Sequence, residues 1–489
     1  MSTSRRAFLT GHWISGQGDW FHSTDPSTGT PVWEGRAATE HDVKAAIAAA
    51  RAALPAWTET PLENRIALLN RFADELRARK TEMATEICAE TGKPTWEALS
   101  EVDAMIAKVA ISIAAHAERR KPTERQQAGA TAATRYKPMG VMAVFGPFNM
   151  PGHLPNGHIV PALLAGNTIV FKPSELTPGV GEKLAEMFHH AGIPPGIVNL
   201  LQGGRDVGEL LAQHPGIDGI LFTGSATAGL AIKRATLEQP WKILALEMGG
   251  NNPLVVWEPK DLAAAAYLTI QSAFITSGQR CSCARRLIVP DNAHGSAFVE
   301  RLIAMMRTIR VGPCTQTPEP FMGPVISDAA AEKLFAAQAE LIAAGGVPLV
   351  ELTVAGERRA MLAPAIIDVT PIPTRPDAEF FGPLLQLIRV PDFDAALAES
   401  NHTAFGLAAG LFSDNADLWK RFHIQIRAGV IYWNRQTTGG SSHLPFGGVG
   451  SSGNFRPSGY WAADYCSYPV ASMGNASLTM PSQRMPGIG

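Results

Sequence analysis

The sequence predicts an α/β fold built on a parallel sheet that is covered on both faces, and three observations carry that prediction. Short, continuous apolar runs recur at 141–145, 168–172, 197–201, 219–222 and 242–246. Helix-like segments lie between them, near 153–164, 180–190, 205–213 and 226–234. A second alternation of the same kind begins after Pro253 and continues to about Gly450, with helices over 296–306, 328–344 and 393–400. Apolar strands joined by helical crossovers make a parallel sheet with both faces buried. Ligands on such sheets bind outside the carboxyl ends of the strands.

The remaining elements follow in order. Residues 1–36, with their glycines, tryptophans and Pro26-Ser27-Thr28-Gly29, predict short strands and turns. Four helices come next. One spans 40–54 and is capped by Thr39. The second begins after Thr60-Pro61-Leu62-Glu63, where Thr60 caps, Pro61 takes the first helical position and Glu63 closes a capping box. The third spans 82–91 and stops at Gly92, and the fourth spans 95–119. The fourth carries an apolar stripe interrupted by Glu101 and Lys108, which marks it as core rather than membrane. The polar stretch 131–136 reads as an edge or intersubunit strand. The tail 473–489, rich in Pro, Gly, Ser and Met, has no periodicity and reads as loose or ordered only against a partner.

At 489 residues the chain exceeds one core and predicts two or three domains. A net charge of −2 gives no electrostatic reason to expect nucleic acid or an anionic membrane as partner. Five cysteines, few and odd in number, are no disulfide framework and point to a reducing cytoplasm. Ser4-Arg5-Arg6 resembles a twin-arginine signal, but no apolar h-region follows, so it reads as part of a surface arm. No apolar run approaches the 18 or so residues a membrane span needs.

The chemistry gathers on a few loops. Ser277-Gly278-Gln279-Arg280-Cys281-Ser282-Cys283 lies between a helix-like run and a strand-like one, so Cys281 sits on a turn that suits a reactive thiol. The bland alternative for Cys281 is a small buried hydrophobe. Upstream, Leu246-Glu247-Met248-Gly249-Gly250-Asn251-Asn252 sets a carboxylate against a glycine pair. Gly146-Pro147-Phe148-Asn149-Met150-Pro151 brings a side-chain amide to the end of the first strand, where Asn149 suits donation to an oxyanion. Lys172-Pro173-Ser174-Glu175 puts a cation and a carboxylate at a strand end. A carboxylate there suits a ribose diol and repels a 2′-phosphate, which favours NAD over NADP. Phe222-Thr223-Gly224-Ser225-Ala226-Thr227-Ala228-Gly229 closes a strand and opens a helix, offering Gly224 to Gly229 as backbone donors for a pyrophosphate, although the spacing is not G-x-G-x-x-G. No metal is expected, because Cys281-Ser282-Cys283 lacks further ligands and His153 and His158 complete no set.

These stretches, with Glu379-Phe380-Phe381-Gly382-Pro383 and Pro445-Phe446-Gly447-Gly448, resemble the aldehyde dehydrogenase superfamily along nearly the whole chain. The resemblance implies a Rossmann-like parallel-sheet cofactor domain, an α/β catalytic domain and a small oligomerisation strand unit, in homodimers or homotetramers. On that basis the NAD-binding domain is expected over 1–120 and 140–249, the catalytic domain over 250–450, and the oligomerisation segment and tail over 121–139 and 451–489. It further implies Cys281 as nucleophile, Glu247 as base, and Asn149 with the Cys281 amide as oxyanion site. Lys172 and Glu175 would hold the adenosine ribose, Gly224-Ser225 the pyrophosphate and Glu379 the nicotinamide ribose, with Phe381 beside it. Thiolate attack on an aldehyde gives a hemithioacetal, hydride loss to NAD leaves a thioester, and Glu247 activates water to release the acid. A branch that passes the acyl group to coenzyme A generally lacks this glutamate, so hydrolysis is favoured.

The carboxyl third bears on the substrate. Tyr432-Trp433-Asn434-Arg435-Gln436-Thr437-Thr438-Gly439-Gly440, Gly453-Asn454-Phe455-Arg456-Pro457-Ser458 and Ala462-Ala463-Asp464-Tyr465-Cys466 resemble the N-succinylglutamate 5-semialdehyde dehydrogenase branch, of the arginine succinyltransferase pathway. Phe455 stands where that branch more usually has histidine. A substrate with two carboxylates needs cationic and polar donors, for which Arg435 and Arg456 are candidates, with Ser442 and His443 behind them. The two arginines suit intersubunit ion pairs equally well. Another semialdehyde dehydrogenase, for glutamate or aminobutyrate semialdehyde, or a thiol esterase or non-catalytic binding protein on this scaffold, are the alternatives.

Overall fold

The computed structural model describes residues 7–9, 11–127, 129–480 and 484–488, so the arginine pair at 5 and 6 lies outside the described residues. Helix α1 runs Glu40–Glu59. The Thr39 hydroxyl accepts from the Asp42 amide and the Asp42 carboxylate accepts from the Thr39 amide at 2.8 Å, a reciprocal cap. The helix continues past its expected end at 54, through Pro55. Proline removes one intrahelical bond there. Trp57, buried and donating from its indole to the Leu163 carbonyl at 3.2 Å, holds the last turn in place. Helix α2, Leu62–Ala78, has no side-chain cap. The expected Thr60–Glu63 box does not form because the Thr60 hydroxyl donates back to Ala56 at 2.9 Å, closing α1 instead, and Pro61 is itself the N-cap. Helices α3, Lys80–Thr91, and α4, Thr95–Arg119, follow.

The apolar runs after residue 140 form the predicted sheet. Ile243–Met248, Gly219–Gly224, Val141–Phe145, Thr168–Lys172 and Val198–Leu200 lie side by side in parallel. The hairpin Ala7–Leu9 and His12–Ile14 extends that sheet antiparallel to Val198–Leu200. Helices α5, His153–Ala165, α6, Pro178–His190, α7, Arg205–Gln213, and α8, Ala226–Ala235, make the crossovers. The core on one face of the sheet draws on α2 to α6, and on Ala462, Tyr465 and Cys466 near the carboxyl end of the chain.

A second sheet has the order Val347–Val350, Ala365–Asp368, Leu384–Val390, Ala284–Pro290, Asn252–Val256, Ala408–Phe412 and Val430–Trp433, parallel except for its first strand. Helix α9, Leu262–Phe274, covers it and leads into the loop of Cys281. The third sheet is antiparallel, Thr123–Gln127, Ala130–Pro138 and Ser467–Gly474. The stretch 131–136, expected as an edge or intersubunit strand, is not an edge within the chain but the middle strand of this sheet, because Ser467–Gly474 pairs with it from the far end of the chain. Met473 and Gly474, expected in the loose tail, end that strand. Among the described residues no helix is long and apolar enough to cross a membrane.

The chain leaves the carboxyl edge of the first sheet at Met248 and enters the amino edge of the second at Asn252. The loops after Phe145, Lys172 and Gly224 therefore face those before Ala284 and Leu384. The site lies at this seam.

Candidate active site

A cavity of about 1090 Å³ occupies the seam. Cys281, Glu247 and Asn149 all line it, as do Lys172, Glu175, Gly224, Ser225, Thr227, Ala228, Glu379, Phe381 and Ser442. The fold thus brings together around one cavity residues as far apart in sequence as 149 and 442.

The loop of Cys281 is held in an unusual backbone conformation. Thr276, Ser277 and Gly278 are all left-handed, at φ of 55°, 55° and 71°. Only the last is glycine, and a Cβ there would lie 2.1 Å from the Gly382 carbonyl oxygen. Such strain persists only where the surroundings over-determine it, and here buried side chains capture the loop's carbonyls one after another. Arg285, fully buried, donates to Gly278 at 2.5 Å and to Arg280 at 2.9 Å. Asn252 donates to Cys281 at 2.7 Å and to Cys283 at 2.9 Å. Asn149 donates to Gln279 at 2.8 Å. Among the described residues the Cys281 amide N–H makes no hydrogen bond. That amide and the second N–H of Asn149 remain as donors for an oxygen in the cavity.

Cys281 is partly open to the cavity, yet protein surrounds it at longer range, and burial pushes its thiol up to about 12. The negative charges of Glu379 and Glu247 add to the rise, and the Arg285 guanidinium opposes it. Glu247 is buried on strand Ile243–Met248 and is raised well above the ordinary carboxylate range, again chiefly by burial. Its Oε1 accepts from the Ser458 amide at 3.1 Å, while Oε2 is buried with no hydrogen-bond partner among the described residues. A carboxylate raised in this way readily takes up a proton from a thiol or water. Behind it, in register with Glu247, Thr223 shares a hydrogen bond with the buried His158 ring at 3.0 Å, and that ring meets the Tyr465 hydroxyl at 2.8 Å.

Glu379 reaches the cavity because residue 249 is glycine. A Cβ on Gly249 would lie 1.7 Å from the Glu379 carboxylate. Burial raises Glu379, and its Oε1, 3.6 Å from Arg285, has no hydrogen-bond partner among the described residues. Phe381 packs edge-on against Phe148 with ring centroids 5.8 Å apart. If Glu379 helps keep the thiol protonated, Glu379→Gln should raise the rate of Cys281 alkylation by iodoacetamide at pH 7.5 by roughly three- to tenfold. An unchanged or slower rate would show that the Glu379 charge does not hold the thiol protonated.

At the first-sheet edge Lys172 is buried, donating to Gly203 at 2.7 Å and Pro173 at 2.8 Å, with the half-exposed Glu175 carboxylate 3.8 Å away. Burial lowers the lysine and Glu175 opposes that. The Ser225 hydroxyl caps α8 by accepting the Ala228 amide at 3.2 Å, which leaves the helix's first amides open. Ala226 and Gly229 do not line the cavity. Ala226 packs on the sheet core, and Gly229 is buried where a Cβ would meet the Met248 sulfur at 2.3 Å.

The four candidates for substrate separate. Ser442 lines the cavity, whereas Arg435, Arg456 and His443 are exposed and do not. Left-handed residues Asn434 and Phe455, at φ 51° and 61°, immediately precede the two arginines. Both arginines are exposed after these turns, where they keep their hydration, and among the described residues the Arg456 guanidinium reaches only the Phe455 carbonyl, at 3.2 Å. Residues that sequence reasoning passed over stand inside instead. Arg285, Asn252 and Gln279 shape the loop of Cys281, and Lys108 lines the cavity from α4. The signal was present: Arg285-Arg286 opens a strand that is otherwise apolar, and Lys108 interrupts an apolar stripe. Cations in such places are buried only with partners.

Comparison with known proteins bears on the family and the fold. The model of the aldehyde dehydrogenase family matches residues 13–470. The N-succinylglutamate 5-semialdehyde dehydrogenase of Chromobacterium violaceum is 52% identical over 481 residues, covering 98% of this chain and 99% of its own. Among solved structures, 1-pyrroline-5-carboxylate dehydrogenase from Thermus with bound NAD superposes with a TM-score of 0.90 at 30% identity, over 96% of this chain and 93% of its own. The NADP-dependent glyceraldehyde-3-phosphate dehydrogenase of Bacillus halodurans C-125, complexed with NADP, also gives 0.90, at 28% identity over 97% and 100%.

Proposed function

The chain belongs to the aldehyde dehydrogenase family, and from that premise we propose that it oxidises N-succinyl-L-glutamate 5-semialdehyde to N-succinyl-L-glutamate with NAD, in arginine breakdown by the succinyltransferase route. The observation that carries the chemistry is that Cys281 and Glu247 share one cavity with the open N-terminus of α8 and the Lys172–Glu175 pair. The substrate is supported by the relative that is 52% identical along its whole length.

The residues present fit a dinucleotide. The buried Oε1 of Glu379, which has no hydrogen-bond partner among the described residues, suits acceptance from a ribose hydroxyl, and the first amides of α8 suit a pyrophosphate. Lys172 and Glu175 would take the adenosine ribose, and the Glu175 carboxylate favours NAD by repelling a 2′-phosphate. When bound, NAD supplies the acceptor for the aldehyde hydride. Glu247 takes the Cys281 proton, the sulfur attacks the aldehyde carbon, and the Asn149 and Cys281 N–H groups hold the oxyanion. After oxidation has left a thioester on Cys281, Glu247, its first proton released to solvent, removes a proton from water; hydroxide attack expels the Cys281 sulfur, which takes the proton back from Glu247, and frees the acid.

We assign 1–120 and 140–249 to the cofactor domain, 250–450 to the catalytic domain, and 121–139 with 451–489 to oligomerisation and tail. The third sheet, whose strand Thr123–Gln127 is exposed throughout, supports a homodimer or homotetramer. Five free cysteines support a cytoplasmic home.

The test is NADH formation by purified protein with NAD and N-succinylglutamate 5-semialdehyde, beside glutamate semialdehyde, succinate semialdehyde and propanal. The succinylated aldehyde should give the highest kcat/KM, by roughly tenfold or more. Turnover of the others alone would overturn the substrate, and no NADH from any of them would overturn the enzyme reading.

A further inference from the structure

With Arg435 and Arg456 in solvent, the cavity wall must supply the charge for an anionic substrate from elsewhere. Of its other cations, Arg205 pairs with Glu209 at 2.6 Å and Lys333 is exposed to solvent, where it keeps its hydration. Arg280 pairs with Glu97 at 2.8 Å, and Lys172 lies at the first-sheet edge beside Glu175. His153 and His158 are pushed down to about 4 and about 3, chiefly by burial, and carry no charge at neutral pH.

Lys108 differs. Its side chain is 1% exposed and donates to the Gly459 carbonyl at 2.6 Å, yet among the described residues it has no carboxylate in ion-pair range. A buried ammonium with one neutral partner is poorly compensated and gains strongly from an arriving anion. Burial brings it down to about 8, so most of it is charged at neutral pH. Gly157, within α5, also lines the cavity, and a Cβ there would meet nothing within 4 Å. Glycine inside a helix weakens it. What the chain gains here is room.

We propose that Lys108, with the space left at Gly157, is the subsite for the carboxylate-bearing end of the substrate remote from the aldehyde. Lys108 would then be a specificity-determining residue. The inference rests on the reading of the substrate as an anionic semialdehyde and names the group that selects it.

The test uses the full-length enzyme with Lys108→Met and, separately, Gly157→Leu. For each, kcat/KM is measured on N-succinylglutamate 5-semialdehyde and on propanal. In both variants the ratio of the two should fall, by roughly 100-fold for Lys108→Met, with the loss mainly in KM. N-succinylglutamate should raise the melting temperature of wild type more than that of Lys108→Met. A lysine that merely tethers Gly459 would lower both substrates alike and leave the melting shift unchanged, and that result overturns the proposal. Should Lys108→Met not fold, Gly157→Leu decides: an unchanged ratio there overturns it. If wild type prefers a different anionic semialdehyde, the substrate reading fails separately and the ratio is read on that aldehyde. Loss of its preference over propanal supports the subsite, and retention overturns it.

Discussion

Glu247→Gln is expected to make up to one NADH per chain and then nearly stop. The substitution keeps the volume of a fully enclosed side chain and an oxygen to accept the Ser458 amide, now at 3.1 Å. What it removes is a proton acceptor whose second oxygen is buried without a partner. Oxidation needs the Cys281 proton taken once, which solvent base does at mildly alkaline pH, and loss of the Glu247 charge makes the thiol easier to ionise. Release of the acid needs an activated water in every cycle. Steady turnover should therefore fall by about 10²–10⁴, the usual range for a general base, while the burst persists at pH 8.5. Stopped-flow NADH absorbance separates the two phases. Equal loss of burst and steady rate would confine Glu247 to the first step.

The second large effect is Cys281→Ala, with turnover expected to fall by a factor on the order of 10⁵–10⁶, as for other lost nucleophiles. NAD binding, followed by quenching of tryptophan fluorescence, should stay within a few-fold of wild type, because Lys172 and α8 belong to the other sheet. Cys283→Ala makes the contrast. Its sulfur is fully buried and points to the Ile275 carbonyl at 3.8 Å, away from the cavity's reacting groups. It should keep most of its activity and lose only about 1 kcal/mol of stability from the missing atom. If Cys281→Ala kept turnover, or Cys283→Ala lost it, the nucleophile would be wrongly assigned.

The parts of this site legible in the sequence were those governed by local pattern. Alternating apolar runs and helices gave the first sheet nearly residue by residue, and α4 at its observed limits, because hydrophobic period and length decide such elements. The position of Asn149, Lys172, Glu175 and Gly224 on one edge followed from strand direction alone. What remained hidden depended on partners distant in sequence. The middle strand at 131–136 needs Ser467–Gly474, over three hundred residues away. Thr60 could cap either of two helices and closes the earlier one. Arg435 and Arg456 were candidates on charge for either a substrate carboxylate or an intersubunit ion pair; each follows a single left-handed residue and is exposed, outside the cavity. Lys108 marks the opposite case, a charge within an apolar stripe that faces a cavity rather than solvent.

The most direct test of covalent catalysis at Cys281 is the intact and peptide mass of Glu247→Gln quenched in acid after mixing with NAD and N-succinylglutamate 5-semialdehyde. The predicted result is one N-succinylglutamyl group per chain, on the peptide containing Cys281 and absent when NAD is omitted. An unmodified Cys281 after a full burst of NADH, or the acyl group on another residue, would contradict the account.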